Sequence, residues 1–459
     1  MHEPSGSQIA PGAPSAAPGL KATATRYRWV VCALLFFATT INYFDRQILA
    51  LLKGMLDQQF GWTNAEFGWV NGVFQLGYGI GLLGFGWFVD RFGAKIGYAV
   101  SIIGWSLSAI AHGFAGSVGQ FITARGALGL SESGNFPSAI KAVALWFPKR
   151  ERAFATSIFN AGTNAGALIA PAVVPWVAFK WGWQAAFVSA GIAGLLWLAL
   201  WIPFYHLPRK TRRVNAAELS LIQSDKDETT DGEKAPWLGL LAYPQTWSFI
   251  VAKFLTDPVW WFYLVWLPDF FKQVRSLDIQ RSWIYITAIY GMVTVLSIFG
   301  GWITGFLTER GWSVTRARKT GMFVFALCVV PVVAATQAGN WGAVLLIGLA
   351  ASAHQAWSAN LFTTVSDMFP KPAVASVIGI GGMAGSAGGA IFPVLSGIML
   401  DHFKASHAET TGYAILFGIC ACAYLVAFGL NHVLAPRFEP MSLEANHGTH
   451  RIPGNGKEQ

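Results

Sequence analysis

Charge is scarce in this sequence: only 12% of its 459 residues are Asp, Glu, Lys or Arg. A soluble domain carries about 25%, so an ordinary water-soluble globule is excluded for most of the chain. Cysteine is also sparse, and Cys32, Cys328, Cys420 and Cys422 all lie in apolar runs without metal-ligand spacing. That pattern excludes a disulfide framework and a zinc site. No nucleophile constellation is present either, because the glycine spacing around Ser131 and Ser133 is wrong for a nucleophile elbow. The first 27 residues are rich in Pro, Gly, Ala and Ser and lack an apolar core, so they read as a disordered tail and not as a cleaved signal peptide. Residues 434–459 form a second short polar tail. Neither tail is large enough to be the output domain of a membrane sensor.

What is abundant is apolar. Hydrophobic residues make up 54% of the chain, with 50 Gly and 21 Trp, as packed membrane helices and their interfacial belts require. A span needs about 20 apolar residues. Twelve runs of suitable length lie near 28–50, 67–88, 95–114, 118–146, 152–178, 184–204, 246–268, 283–306, 318–337, 341–368, 373–400 and 411–433. The one long polar stretch, 205–245, carries Arg209, Lys210, Arg212 and Arg213 and then an acidic run from Asp225 to Glu233. It reads as a linker between two six-helix lobes, 28–204 and 246–433, in an all-α membrane protein. Asn215-Ala216-Ala217-Glu218 has the pattern of a helix cap. The net charge of +9 fits basic loops better than nucleic-acid binding. With the N-terminus inside, 22 of the 32 Lys and Arg fall on the inner side, 6 on the outer side and 4 within spans. This places both tails and the linker in the cytoplasm.

The halves repeat one another. Trp146-Phe147-Pro148-Lys149 returns as Met368-Phe369-Pro370-Lys371, and at the same shift Pro171 meets Pro393. Gly86-x-x-x-Asp90-Arg91 returns as Gly305-x-x-x-Glu309-Arg310. Parallel repetition of six helices suits a carrier that opens alternately to each side.

Charges inside apolar runs mark the chemistry, because a charged side chain in a bilayer is costly and by default functional. In the first span Asn42, Asp45, Arg46 and Leu49 share one helix face. In the fourth, Arg125 and Glu132 are seven residues apart, two turns on one face and about 10 Å along the axis. Arginine suits a carboxylate ligand, since its planar fork donates two parallel hydrogen bonds. Asp45 and Glu132 are the acids that can carry protons. Asn160, Thr163 and Asn164 share a face of the fifth span, as Asn360, Thr363 and Thr364 do in the tenth. Such groups can bond sugar hydroxyls or glue helices together. Tyr78, Trp260, Trp261, Tyr263 and Trp357 are aromatic candidates for a cavity wall. Lys253 and Asp257 stand at i, i+4 and can pair with each other; His354, beside Gln355, reads as a packing histidine. Gly79-Ile80-Gly81-Leu82-Leu83-Gly84 matches a dinucleotide fingerprint by letters but lies in an apolar span, so it reads as close helix packing. Gly381, Gly385 and Gly389 are a similar ridge.

The segment Gly84-Phe85-Gly86-Trp87-Phe88-Val89-Asp90-Arg91-Phe92-Gly93-Ala94-Lys95 resembles the loop signature of the major facilitator superfamily, and the resemblance extends over residues 28–433. Asn42-Tyr43-x-Asp45-Arg46 together with Arg125-x6-Glu132 resembles the branch that couples organic anions to a cation. Phe159 to Asn164 and Thr256-Asp257-Pro258-Val259-Trp260-Trp261-Phe262-Tyr263 resemble bacterial hexuronate transporters. The resemblance implies a monomeric inner-membrane symporter for a small organic anion, driven by protons or by sodium, with no cofactor, metal or nucleic-acid partner. It implies proton coupling at Asp45 and Glu132. It implies substrate contacts from Tyr43, Arg46, Tyr78, Arg125, Asn160, Thr163, Asn164, Trp260, Trp261, Gln355, Trp357 and Asn360. Gly86, Asp90, Arg91 and Gly93 would form a cytoplasmic gate, in which Asp90 meets a helix N-terminus or a base of the neighbouring lobe. Gly381 to Gly385 offers no polar side chain where some sugar-acid relatives use one, which leaves hexuronate, aldonate, glucarate and aromatic acids open as substrates.

Overall fold

A computed structural model describes residues 24–224 and 237–440. Most of both tails and the acidic part of the linker lie outside the described residues. The described chain is all-helical. In order come α1 (Tyr27–Phe60), α2 (Asn64–His112), α3 (Val118–Glu132), α4 (Asn135–Trp146), α5 (Lys149–Trp181), α6 (Trp183–Phe204), α7 (Ala216–Ile222) and α8 (Trp237–Leu240). There follow α9 (Pro244–Arg275), α10 (Ile279–Glu309), α11 (Val314–Val329) with a 3₁₀ extension to Ala334, α12 (Asn340–Met368), α13 (Lys371–Ala405) and α14 (Glu409–Leu434). Among the described residues, eight helical segments are long and apolar enough to cross a membrane.

Local chemistry explains most of the boundaries. At 49 residues, α2 is about 70 Å long, more than twice a hydrocarbon core of about 30 Å. It contains the second and third expected spans and breaks at Gly93, whose φ of 84° and ψ of 164° leave the helix. A side chain rarely tolerates that conformation. Gly311, just past the repeated loop motif, has φ 87°. The Phe-Pro pairs also give one backbone twice. Pro148 and Pro370 adopt φ −62°, ψ 152° and φ −64°, ψ 148° as the residues before α5 and α13. The expected fourth span is interrupted at Ser133-Gly134, where α3 ends and α4 begins. A β-carbon on Gly134 would come 2.5 Å from the Phe85 ring, so close packing selects glycine there.

The linker forms the short helix that the cap motif suggests, and it docks on the start of α1, which the sequence does not show. Asn215 accepts from the Glu218 amide and starts α7. Glu218 is fully buried and accepts the backbone N–H groups of Tyr27 and Arg28, both at 3.1 Å. Its carboxylate caps the N-terminus of α1, where the helix dipole favours an anion, and also pairs with the Arg28 guanidinium at 3.0 Å.

The two halves of the chain are fastened at the end of the bundle that carries the α1–α2 turn. Lys53 of α1 lies 2.9 Å from Asp269 of α9 and 2.8 Å from Asp57. Tyr413 of α14 donates to the other oxygen of Asp269 at 2.5 Å. Asp401 of α13 accepts the backbone N–H groups of Asn64 and Ala65, at 2.9 and 2.8 Å, at the start of α2. Beside it Gly68 and Gly72 let α2 rest on the carbonyls of Pro393 and Ala390. At the opposite end, β-carbons on Gly84, Gly86 and Gly305 would meet nothing within 4 Å. Among the described residues, the cross-half polar contacts named here gather at the α1–α2 end.

Candidate functional site

The charged face of α1 is buried where α1, α2, α3 and α9 meet. Asp45, Arg46, Arg125 and Glu132 are 1, 6, 2 and 0% exposed, so all four are shut off from solvent. Arg46 Nε donates to Glu132 Oε2 at 2.6 Å. Arg125 does not pair with Glu132 on its own helix; its Nη2 donates to the Arg46 carbonyl at 3.0 Å. Four rings enclose the Arg46 guanidinium: Tyr43 at 4.6 Å, Tyr78 at 4.7 Å, Phe74 at 5.2 Å and Trp261 at 5.6 Å. Arg125 lies 4.8 Å from the Phe74 ring. Aromatic faces hold cations in place of water, and Trp261 makes the site a joint product of both halves.

The guanidinium groups are not saturated. Arg46 Nη2, Arg125 Nε and Arg125 Nη1 are buried without a hydrogen-bond partner among the described residues, as are Asp45 Oδ1 and Glu132 Oε1. Buried polar atoms are ordinarily paired, so these five are free to meet a water or a ligand. A cavity of about 20 Å³ touches both arginines and is lined further by Gln47, Asn71, Phe74, Gln75 and Trp261. That space holds about one water.

The structure thus brings together Tyr43, Asp45, Arg46, Tyr78, Arg125, Glu132 and Trp261. It places other expected contacts elsewhere. Trp260 is stacked on His354 at 5.4 Å, and His354 Nδ1 lies 2.6 Å from the Tyr424 hydroxyl; both are core packing. Trp357 is fully buried against Tyr424. Asn360 accepts from Arg318 at 3.3 Å and donates to Ala356 O at 2.9 Å, so its amide is spent on joining α11 to α12. Asn160 is exposed, while Thr163, Asn164 and Gln355 are half-buried; none lines the cavity at the arginines. Of the gate residues, Gly93 makes the break in α2. The Asp90 side chain is 84% exposed and reaches Lys141 of α4 at 3.2 Å, a partner in its own half and not in the other. Arg91 is exposed, and Gly86 faces open space.

Sequence reasoning missed Asn71 and Gln75. Both are buried, and with Tyr78 they stand at i, i+4 and i+7 of an apolar run, which was the available signal. It also missed what the α13 glycine ridge serves. A β-carbon on Gly381 would collide with the Phe249 ring and one on Gly385 with the Asp257 carboxylate; on Gly389 it would sit 2.8 Å from Trp261. The ridge seats three side chains of α9 in the space between the helices.

The family model described as Major Facilitator Superfamily matches residues 35–393. The "Hexuronate transporter" of Escherichia coli (strain K12) is 28% identical over 316 residues, 68% of this chain and 71% of that protein. The "Probable galactarate/D-glucarate transporter GudP" of Bacillus subtilis (strain 168) is 28% identical over 422 residues, covering 88% and 91%. Among solved structures, a bacterial homolog of the human lysosomal transporter Spinster, inward-facing and occupied, superposes with a TM-score of 0.74 at 16% identity, covering 90% of this chain and 98% of that one.

Proposed function

Because the chain belongs to the Major Facilitator Superfamily and its relatives are membrane transporters and not enzymes, we propose that it imports a sugar-acid anion, a hexuronate such as galacturonate or glucuronate, together with protons. Two buried arginines with unpartnered N–H groups beside two buried carboxylates carry this reading. The planar guanidinium fork matches a carboxylate in a way that an ammonium does not.

The charge count supplies the coupling. With Asp45 and Glu132 ionised, the two acids balance Arg46 and Arg125. An entering carboxylate adds one negative charge to a buried site, and burying an unbalanced charge costs several kcal/mol. Protonating one acid restores neutrality. Anion and proton therefore load together, and either alone resists closure. Arginine cannot serve as the proton carrier, because it stays charged at physiological pH; the acids can. Sodium beside an ionised acid would satisfy the same balance.

In this account twelve spans form two six-helix lobes, 28–204 and 246–433, in the inner membrane. The 205–245 linker and both tails lie in the cytoplasm, and the chain acts as a monomer. The fastened α1–α2 end then faces outward, and the end beside Asp90 faces inward. Exposed Asp90, away from the second half, fits a released cytoplasmic gate.

Uptake by proteoliposomes decides the reading. A panel of labelled sugar acids is offered with and without an inside-alkaline pH gradient, in sodium-free buffer. Hexuronate accumulation that requires the gradient is the expected result. Uptake indifferent to every sugar acid in the panel would overturn it.

A further inference from the structure

A further charge pair, little exposed, lies wholly within the second half of the chain. Lys253 Nζ lies 2.6 Å from Asp257 Oδ2, one turn along α9, and their side chains are 7 and 18% exposed. Lys253 also rests 4.6 Å from the Phe362 ring. Two observations aim the pair at the arginine site. Asp257 and Trp261 are four residues apart on one face of α9, about 6 Å along the axis, and Trp261 touches the Arg46 guanidinium. Glycine at 385 leaves the space that the Asp257 carboxylate fills, so α13 is cut to admit a carboxylate on the face of α9 that carries Trp261.

A carboxylate can only accept hydrogen bonds. It welcomes hydroxyl groups and repels a second carboxylate, and Lys253 holds it in place at 2.6 Å. Resting on the sugar-acid reading above, we infer that Asp257, held by Lys253, accepts the hydroxyl groups at the far end of a substrate whose carboxylate lies on Arg46 and Arg125, so that the protein takes sugar acids with one carboxylate and rejects those with a carboxylate at each end. This also answers the polar side chain missing from Gly381 to Gly385: the polar group comes from α9, through the gap that the glycines leave.

The test is equilibrium binding of galacturonate, galactonate and galactarate to the purified full-length protein. Wild type should bind the first two at least tenfold more tightly than galactarate. Asp257→Asn removes the repulsion and frees the Lys253 ammonium. It should weaken galacturonate several-fold and tighten galactarate, lowering the ratio at least tenfold. In the double variant Lys253→Met/Asp257→Asn the gain for galactarate should vanish. Equal or tighter galactarate binding by wild type overturns the inference, whether or not the variants fold. So does a parallel loss of all three ligands in a folded Asp257→Asn protein, which would mark the pair as structural. If wild type binds none of the three, the sugar-acid reading itself falls, and this inference falls with it.

Discussion

Arg46 and Glu132 are 86 residues apart in the chain, and their side chains meet at 2.6 Å in a site where neither is more than 6% exposed. The pair leaves Arg46 Nη2 and Glu132 Oε1 unpartnered among the described residues. A saturated structural salt bridge would not. One half of the fork holds the acid, and the other is free to meet the carboxylate of the proposed substrate.

Arg46→Lys tests that division. Lysine keeps the charge but loses the planar fork, and a shorter reach to Glu132 leaves that acid poorly paired. Affinity for galacturonate should fall at least tenfold, about 1.4 kcal/mol, as read by calorimetry. Unchanged affinity would show that charge alone holds the substrate.

Asp45→Asn and Glu132→Gln separate binding from coupling, since each mimics a permanently protonated acid. At least one should keep substrate-for-substrate exchange while losing accumulation driven by a pH gradient. If both variants, each tested alone, still accumulate hexuronate, the two acids are structural.

The charged cluster was legible in the sequence because charges in apolar runs stand out against the cost of burying them. Its pairing was not. Arg125 and Glu132 share a stripe of one helix, but Glu132 meets Arg46 instead, and only the packing of α1 on α3 decides that. Adjacent Trp260 and Trp261 looked equivalent as letters. On a helix they point about 100° apart, so one stacks on His354 and the other reaches Arg46. Asn71 and Gln75 are uncharged, and in a sequence a buried amide is hard to tell from helix glue. The docking of Glu218 on the start of α1 spans 190 residues and left no local pattern to read.

The fastening at the α1–α2 end makes an independent prediction. Asp269→Asn loosens Lys53 and Asp401→Asn weakens the cap on α2, so each should shift the population toward opening at that end. In a Cys-free background, Asn71→Cys, buried in the parent, should be labelled several-fold faster by an impermeant thiol reagent added outside the cell. Equal labelling with and without the two substitutions would show that these contacts do not hold the end shut.

The linker helix bears on stability and not on recognition. Glu218→Ala removes two backbone caps and one partner of Arg28, with Glu151 remaining at 2.8 Å. Stability should drop by about 1–3 kcal/mol, the cost of leaving buried donors unsatisfied. It should appear as a lower melting temperature at unchanged galacturonate affinity. A loss of affinity at constant melting temperature would place Glu218 in the transport cycle.

The central claim is that one buried site loads an anion and a proton together. It is tested most directly by the internal pH of weakly buffered, sodium-free proteoliposomes when hexuronate is added outside. Inward movement of protons should acidify the lumen in step with uptake, and the acidification should be absent in the coupling-defective variant of Asp45 or Glu132. Uptake at the same rate with no change in internal pH would contradict the account.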